Sequence, residues 1–290
     1  MSGAGGTRFE RAEGRPLVDL PPFRLEDRPV DVLVPGDAET WVNMPALDEA
    51  AGIRATLAAL EAQRLRPLVV CVVDNGSTDG TVDVVRGWAT GLAVPSSATG
   101  LGVRLAREPE KGTGAAADTG MRLAAAAGAR YLLRTDADSI PRPGWAARMV
   151  RRLATDADLV AGRMVDRADE GNPLPTRLTL WLLVAIAAAV SVPKNRGPGY
   201  QTRFRMMMGS NVGIRADTYL AAGGFPRSRI DEVHDDRVLM NRTRRLTDRI
   251  TADREAVVEA SSRRYRRYGL RGVIAWYLHH DSRGAPVDVR

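Results

Sequence analysis

The chain has 290 residues, 44% of them hydrophobic and 27% charged, with one cysteine and a formal net charge of +7. That length and balance specify a folded globular protein with room for a sizeable core, and they exclude a disordered chain or a disulfide-built scaffold. The positive surplus suits nucleotide phosphates, acidic proteins, anionic lipids or nucleic acid, and does not choose among them.

Residues 1–28 are rich in Gly, Arg, Glu and Pro, carry no apolar run of the kind a secretory signal needs, and predict a mobile tail. Strand candidates then alternate with helix-like segments. Thr40 to Met44 is the first strand, followed by Ile53, Leu57 and Leu60 at helical spacing. Leu68 to Val73 is the second, and its Cys71 reads as an inert buried thiol. Ser77 or Thr78 is the expected cap of a helix bearing Val82, Val85 and Trp88. Val103 to Ala106 is a third strand, before a helix over Gly112 to Ala127. Tyr131 to Arg134 is the fourth, and Pro143 should open a helix with Trp145, Met149 and Leu153 on one face. Leu159 to Ala161 is the fifth. The alternation predicts an α/β fold whose mostly parallel sheet is flanked by helices. Residues 29–165 form its first half and 166–290 its second, as one integrated domain. Leu178 to Val192 is uncharged but shorter than the roughly 20 residues that cross a bilayer, so it predicts a buried or interface helix and no stable membrane insertion.

Several motifs stand at the ends of these strands. Thr135-Asp136-Ala137-Asp138-Ser139 puts two carboxylates one residue apart where the fourth strand opens into a loop. In open α/β sheets that edge binds ligands, and paired carboxylates suit a hard divalent ion shared with phosphate. Upstream stand Pro45-Ala46-Leu47-Asp48-Glu49 and Asp74-Asn75-Gly76-Ser77-Thr78-Asp79-Gly80-Thr81. Then comes Glu110-Lys111-Gly112-Thr113-Gly114-Ala115. Lysine occurs only at Lys111 and Lys194, which singles out Lys111 in a chain that otherwise uses arginine. Downstream lie Gly209-Ser210-Asn211, Gly223-Gly224-Phe225 and His234-Asp235-Asp236-Arg237. A basic run, Arg263-Arg264-Tyr265-Arg266-Arg267-Tyr268, reads as a solvated face, as ordering against acids, as a clamp on diphosphate, or as a contact for an acidic acceptor.

In this order and spacing the chain resembles glycosyltransferase family 2, with its nucleotide-diphospho-sugar (GT-A), Rossmann-like fold, over roughly residues 38–245. The resemblance implies that Pro45, Ala46 and Glu49 line the nucleotide pocket. It implies that Asp74 accepts a hydrogen bond from the base. Gly112, Gly114 and Ala115 would let backbone approach the ribose and phosphates, beside Lys111 and Ala137. Asp138 would ligate Mg²⁺ or Mn²⁺, with Asp136 meeting the ribose or the ion through water, and His279 or His280 as a candidate further ligand. Asp235-Asp236 matches the family's Glu-Asp pair with Asp in place of Glu, and Asp236 would be the general base.

The expected activity is therefore inverting transfer from a nucleotide-diphosphate sugar, UDP-linked first, to a soluble acceptor that is a small molecule or carrier-bound. The expected setting is the cytoplasm, with a homodimer allowed and no nucleic-acid partner. A polyprenyl-phosphate acceptor is the alternative within the family. Sugar nucleotidyl transfer is disfavoured because a Gly-rich basic loop is missing after the first strand, and a basic binding module would leave the ordered acids unexplained.

Overall fold

The computed structural model describes residues 27–92, 100–171, 197–227 and 235–263, with positions 173, 179, 182, 192 and 195 between. Nine strands form one sheet among these residues. They are β1 (Val30–Val34), β2 (Thr40–Ala46), β3 (Leu68–Asp74), β4 (Leu101–Arg107), β5 (Tyr131–Arg134), β6 (Ser139–Pro141), β7 (Leu159–Asp166), β8 (Val212–Arg215) and β9 (Ile250–Ala260). The helices are α1 (Ile53–Glu61), α2 (Thr81–Gly91), α3 (Thr113–Ala126), α4 (Trp145–Thr155), α5 (Ala216–Ala221) and α6 (Asp235–Arg244). The strand order is β1-β4-β3-β2-β5-β8-β7-β9-β6. Neighbours from β4 through β5 are parallel, as are β7 and β9, while β1, β6 and β8 pair antiparallel.

The parallel centre follows from composition. Every residue of β2 and β3 is buried, which is why both read as near-continuous apolar runs rather than alternating ones. One face of the sheet packs on α1, α2 and α4, through Ile53, Leu57, Val85, Trp88, Met149 and Leu153. The other face packs on α3, α5 and α6, through Ala116, Met121, Tyr219 and Leu239. Helix α3 lies very close to β2, because a Cβ at Gly120 would overlap the Asn43 side chain. Cys71 is fully buried within β3, and burial pushes its thiol up to about 12, as expected of an inert cysteine.

Four details differ from the sequence-based expectation. Ser77 and Thr78 do not cap α2; that helix starts at Thr81 after Gly80 (φ +87°), and Asp79 Oδ1 accepts from Thr81 N–H at 3.0 Å. Helix α4 starts two residues beyond Pro143, after Gly144. Strands β1, β6, β8 and β9 were not legible as strands. Arg28, placed in the tail, is held by Glu108 at 2.9 Å. Most of the segment Leu178 to Val192 lies outside the described residues, and no described helix is long and apolar enough to cross a membrane.

Candidate active site

Parallel strands deliver their last residues to one edge. Ala46 of β2 is in register with Asp74 of β3, and Asn43 with Arg134 of β5. The loop after β2 is stitched to the loop after β3. Asp48 N–H donates to Ser77 Oγ (3.0 Å), Thr78 N–H to Asp48 Oδ1 (2.6 Å), Glu49 N–H to Thr81 Oγ1 (2.8 Å) and Ala50 N–H to Asp79 Oδ2 (3.0 Å). The polar string after β3 is thus a loop brace. Pro45, Ala46, Ala115 and Ala137 are buried, so any contribution they make to a ligand is through backbone and shape.

Asp74 accepts from Ser77 N–H at 3.0 Å and Gly76 N–H at 3.3 Å, and Arg107 Nε stands 3.9 Å away. It lines an open cavity of about 220 Å³ with Pro29, Val82, Arg86 and Arg107. That cavity contains none of the four acids Asp136, Asp138, Asp235 and Asp236, so it is at most one end of a site. Lys111 is exposed, and its Nζ donates to the carbonyls of Asn75 (3.0 Å) and Gly76 (3.3 Å). Its charge serves the loop before any ligand. Gly112 N–H donates to Asn75 Oδ1 at 2.8 Å, and its φ of +145° is one that L side chains rarely adopt. Gly114 follows in the first turn of α3.

The acids after β5 are brought to those at the start of α6 by Arg134, the last residue of β5. Its side chain is 2% exposed. Nη1 donates to Asp235 Oδ2 at 2.9 Å and Nη2 to Asp136 Oδ1 at 3.4 Å. Phe225 lies under the guanidinium at 4.7 Å, and a Cβ at Gly209 would come within 3.1 Å of it. The small and aromatic residues noted at 209 and 225 are the walls of the Arg134 slot. Burial disfavours the Arg134 charge, yet Asp235 and Asp136 hold its proton affinity above the usual arginine value. The readable signal was a cation closing the apolar run Tyr131-Leu132-Leu133, directly before two acids.

Burial raises the proton affinity of Asp136, with Asp138 and Asp235 adding to it and Arg134 opposing. Asp236 is half-buried and is pushed up to about 7, by burial first and by the neighbouring Asp235 carboxylate second. Asp138 accepts from Ser139 Oγ at 3.2 Å, and its Oδ2 stands 3.1 Å from Arg263 Nη2. Arg263 also grips Glu49 with both terminal nitrogens, Nη1 to Oε2 at 2.7 Å. Glu49 is raised by burial despite that partner. His234, His279, His280 and Arg264 to Tyr268 lie outside the described residues.

Asp136 and Asp138 present only carboxylate oxygens, which suit a hard divalent ion, and the position beside Asp138 already holds positive charge. No group of three or more His, Cys, Asp or Glu able to hold an ion occurs among the described residues. An ion here would complete its shell with water and phosphate oxygens.

The family model of glycosyl transferase family 2 matches residues 41–219, more than half the chain. The chain belongs to glycosyl transferase family 2. The chain is similar in fold to TarS 1-349 of S. aureus in complex with UDP-GlcNAc, at 15% identity and TM-score 0.56, covering 78% of this chain and 59% of that one. It is also similar to the mannosyltransferase PcManGT of Pyrobaculum calidifontis in complex with GDP-Man and Mn²⁺, at 23% identity and TM-score 0.55, covering 79% and 59%. The chain thus spans about three fifths of the length of these structures. A search of curated proteins returned no match.

Proposed function

We propose that this glycosyltransferase is of the inverting type, with a UDP-sugar as donor and Mg²⁺ or Mn²⁺ as cofactor. The observation that carries the reading is the Arg134 bridge, which joins the acids at the end of β5 to the acids at the start of α6. The solved structures of like fold carry UDP-GlcNAc, and GDP-Man with Mn²⁺, which is the ligand class these strand ends would take.

Asp138 and Asp136 would hold the ion, and the chemistry it supplies is neutralisation of the departing diphosphate. Asp74, with its carboxylate at the end of β3, would accept from the imide N–H of uracil. Asp236 is the base: a carboxylate titrating near 7 is matched to taking a proton from a hydroxyl at neutral pH. As the acceptor oxygen forms its bond to the anomeric carbon, its proton passes to Asp236. The bond from that carbon to the diphosphate breaks, and its electron pair leaves with UDP. Asp235 is held by Arg134, and its charge raises the basicity of Asp236. The net charge of +7 is compatible with an acidic acceptor, such as a carrier-bound intermediate.

A screen of UDP-, GDP- and dTDP-sugars, with and without Mn²⁺, tests the reading. Metal-dependent release of UDP is expected, and it should be lost in Asp236→Asn. Failure to bind or hydrolyse any nucleotide sugar would refute it.

A further inference from the structure

We propose that Arg263 is a built-in counter-cation that competes with the divalent ion for Asp138 until donor diphosphate arrives. The inference rests on the metal-dependent reading above and concerns how the ion site is loaded.

Arg263 stands at the end of the described chain, just beyond β9, and its position is fixed by a small acidic anchor. Glu170 accepts from Ser261 Oγ at 2.5 Å, from Ser262 N–H at 2.9 Å and from Ser262 Oγ at 2.6 Å. Arg167, close before Glu170 in the chain, donates from Nη1 to the Asp138 carbonyl at 3.1 Å and pairs with Asp169 at 2.7 Å. Both the carboxylate and the guanidinium are therefore set on the same brace. From it the Arg263 fork takes Glu49 with both terminal nitrogens, and Nη2 extends to Asp138 Oδ2 at 3.1 Å.

This arrangement has a consequence for charge. Burial raises the cost of ionising Glu49, and the nearby Asp138 and Asp136 carboxylates add to it. Without a cation the group would repel itself and repel a donor diphosphate more strongly. Arg263 offsets that repulsion, and its charge sits against the carboxylate that would hold an incoming ion. An ion alone must displace a charge-assisted bond from Asp138. An ion bound to diphosphate brings its own oxygens, and the diphosphate gives the freed guanidinium a new anion to meet. The bidentate hold on Glu49 keeps Arg263 at the site while its contact with Asp138 is exchanged. The expected result is ordered loading, in which the donor-free protein binds the ion weakly.

The test is Mn²⁺ affinity of the full chain without nucleotide, by electron paramagnetic resonance and calorimetry. Arg263→Gln should bind Mn²⁺ roughly tenfold tighter or more than wild type, the scale of one charge-assisted hydrogen bond. Adding Asp138→Asn to Arg263→Gln should abolish that gain. Arg263→Lys, which keeps the charge without the fork, should fall between. Circular dichroism and thermal melts establish that each variant is folded, and a folded Arg263→Lys alone suffices if Arg263→Gln is not. Mn²⁺ affinity that is unchanged or weaker on losing Arg263, while Asp138→Asn still lowers Mn²⁺-assisted UDP affinity, overturns the competition and leaves the metal reading standing. UDP affinity indifferent to Mn²⁺ and to Asp138→Asn removes the metal reading, and the competition with it.

Discussion

Arg134 donates from Nη1 to Asp235 at 2.9 Å across 101 residues of sequence, and the same guanidinium reaches Asp136 at 3.4 Å. A buried cation between two acidic loops neutralises both and fixes their separation. Its Nε has no hydrogen-bond partner, so the slot is shaped for the two outer nitrogens rather than for full satisfaction. Removing one partner of a buried pair leaves an uncompensated charge.

Arg134→Met should therefore be destabilising by about 3 kcal/mol, the usual cost of breaking a buried ion pair from one side. Arg134→Lys should recover part of the stability and little of the turnover, because an ammonium cannot span two carboxylates in fork geometry. Urea unfolding with parallel assays checks both. Equal stability of wild type and Arg134→Met would show that the bridge contributes nothing.

The parallel centre of the sheet was legible because buried strands are apolar without interruption, as Leu68 to Val73 is. The acids at its edge were legible because carboxylates stand out after such runs. Strands β1, β6, β8 and β9 were not. In β9, Asp253, Arg254 and Glu255 interrupt the pattern where the ladder to β7 shifts register. In β1, an edge strand, Val30 and Val32 are exposed, so no burial pattern marks it. In the sequence Arg263 is one cation of a basic run. Its attachment to Glu49 spans 214 residues, and no local pattern encodes that.

Gly224 has φ +73°, and a Cβ there would collide with Asp118 Oδ1 and stand 3.0 Å from Tyr219 Oη. Asp118 is buried and accepts from Tyr219 Oη at 2.8 Å, while Tyr219 Oη accepts from Phe225 N–H at 3.0 Å. Gly224→Ala should then displace Phe225 from the Arg134 face. The expected cost is about 2 kcal/mol or more, the scale of strained backbone with a lost buried hydrogen bond. A matched loss of turnover is expected with UDP affinity kept. A Gly224→Ala protein with wild-type melting and turnover would argue that this loop has no positioning role.

Asp236→Asn should cut turnover by roughly 10²-fold or more, the usual scale for a lost general base, and leave UDP affinity unchanged. Asp235→Asn should be milder in turnover and should lower the pH at which the remaining activity rises, because it removes the charge that lifts Asp236. If Asp235→Asn is the damaging change and Asp236→Asn the mild one, the base is Asp235.

The pH dependence gives Asp236 a second, independent signature. Its folded-state value is about 7, above the roughly 3.9 of an unfolded aspartate. Between those values the folded chain holds a proton that the unfolded chain has lost. The stabilisation this brings is complete below about pH 4 and is lost as pH rises through 7. Catalysis runs the other way, since the base must be ionised, so kcat/KM should rise through about pH 7. Glu49, Asp118 and Asp136 are also raised and tilt stability in the same sense, so the informative quantity is a difference. Urea unfolding of metal-free wild type and Asp236→Asn at pH 5 and 8 supplies it. Wild type should lose more stability than Asp236→Asn between the two pH values. Parallel losses in the two proteins, or a kcat/KM already flat at pH 5, would place the Asp236 carboxylate in the ordinary aspartate range and remove it as a base tuned to neutral pH.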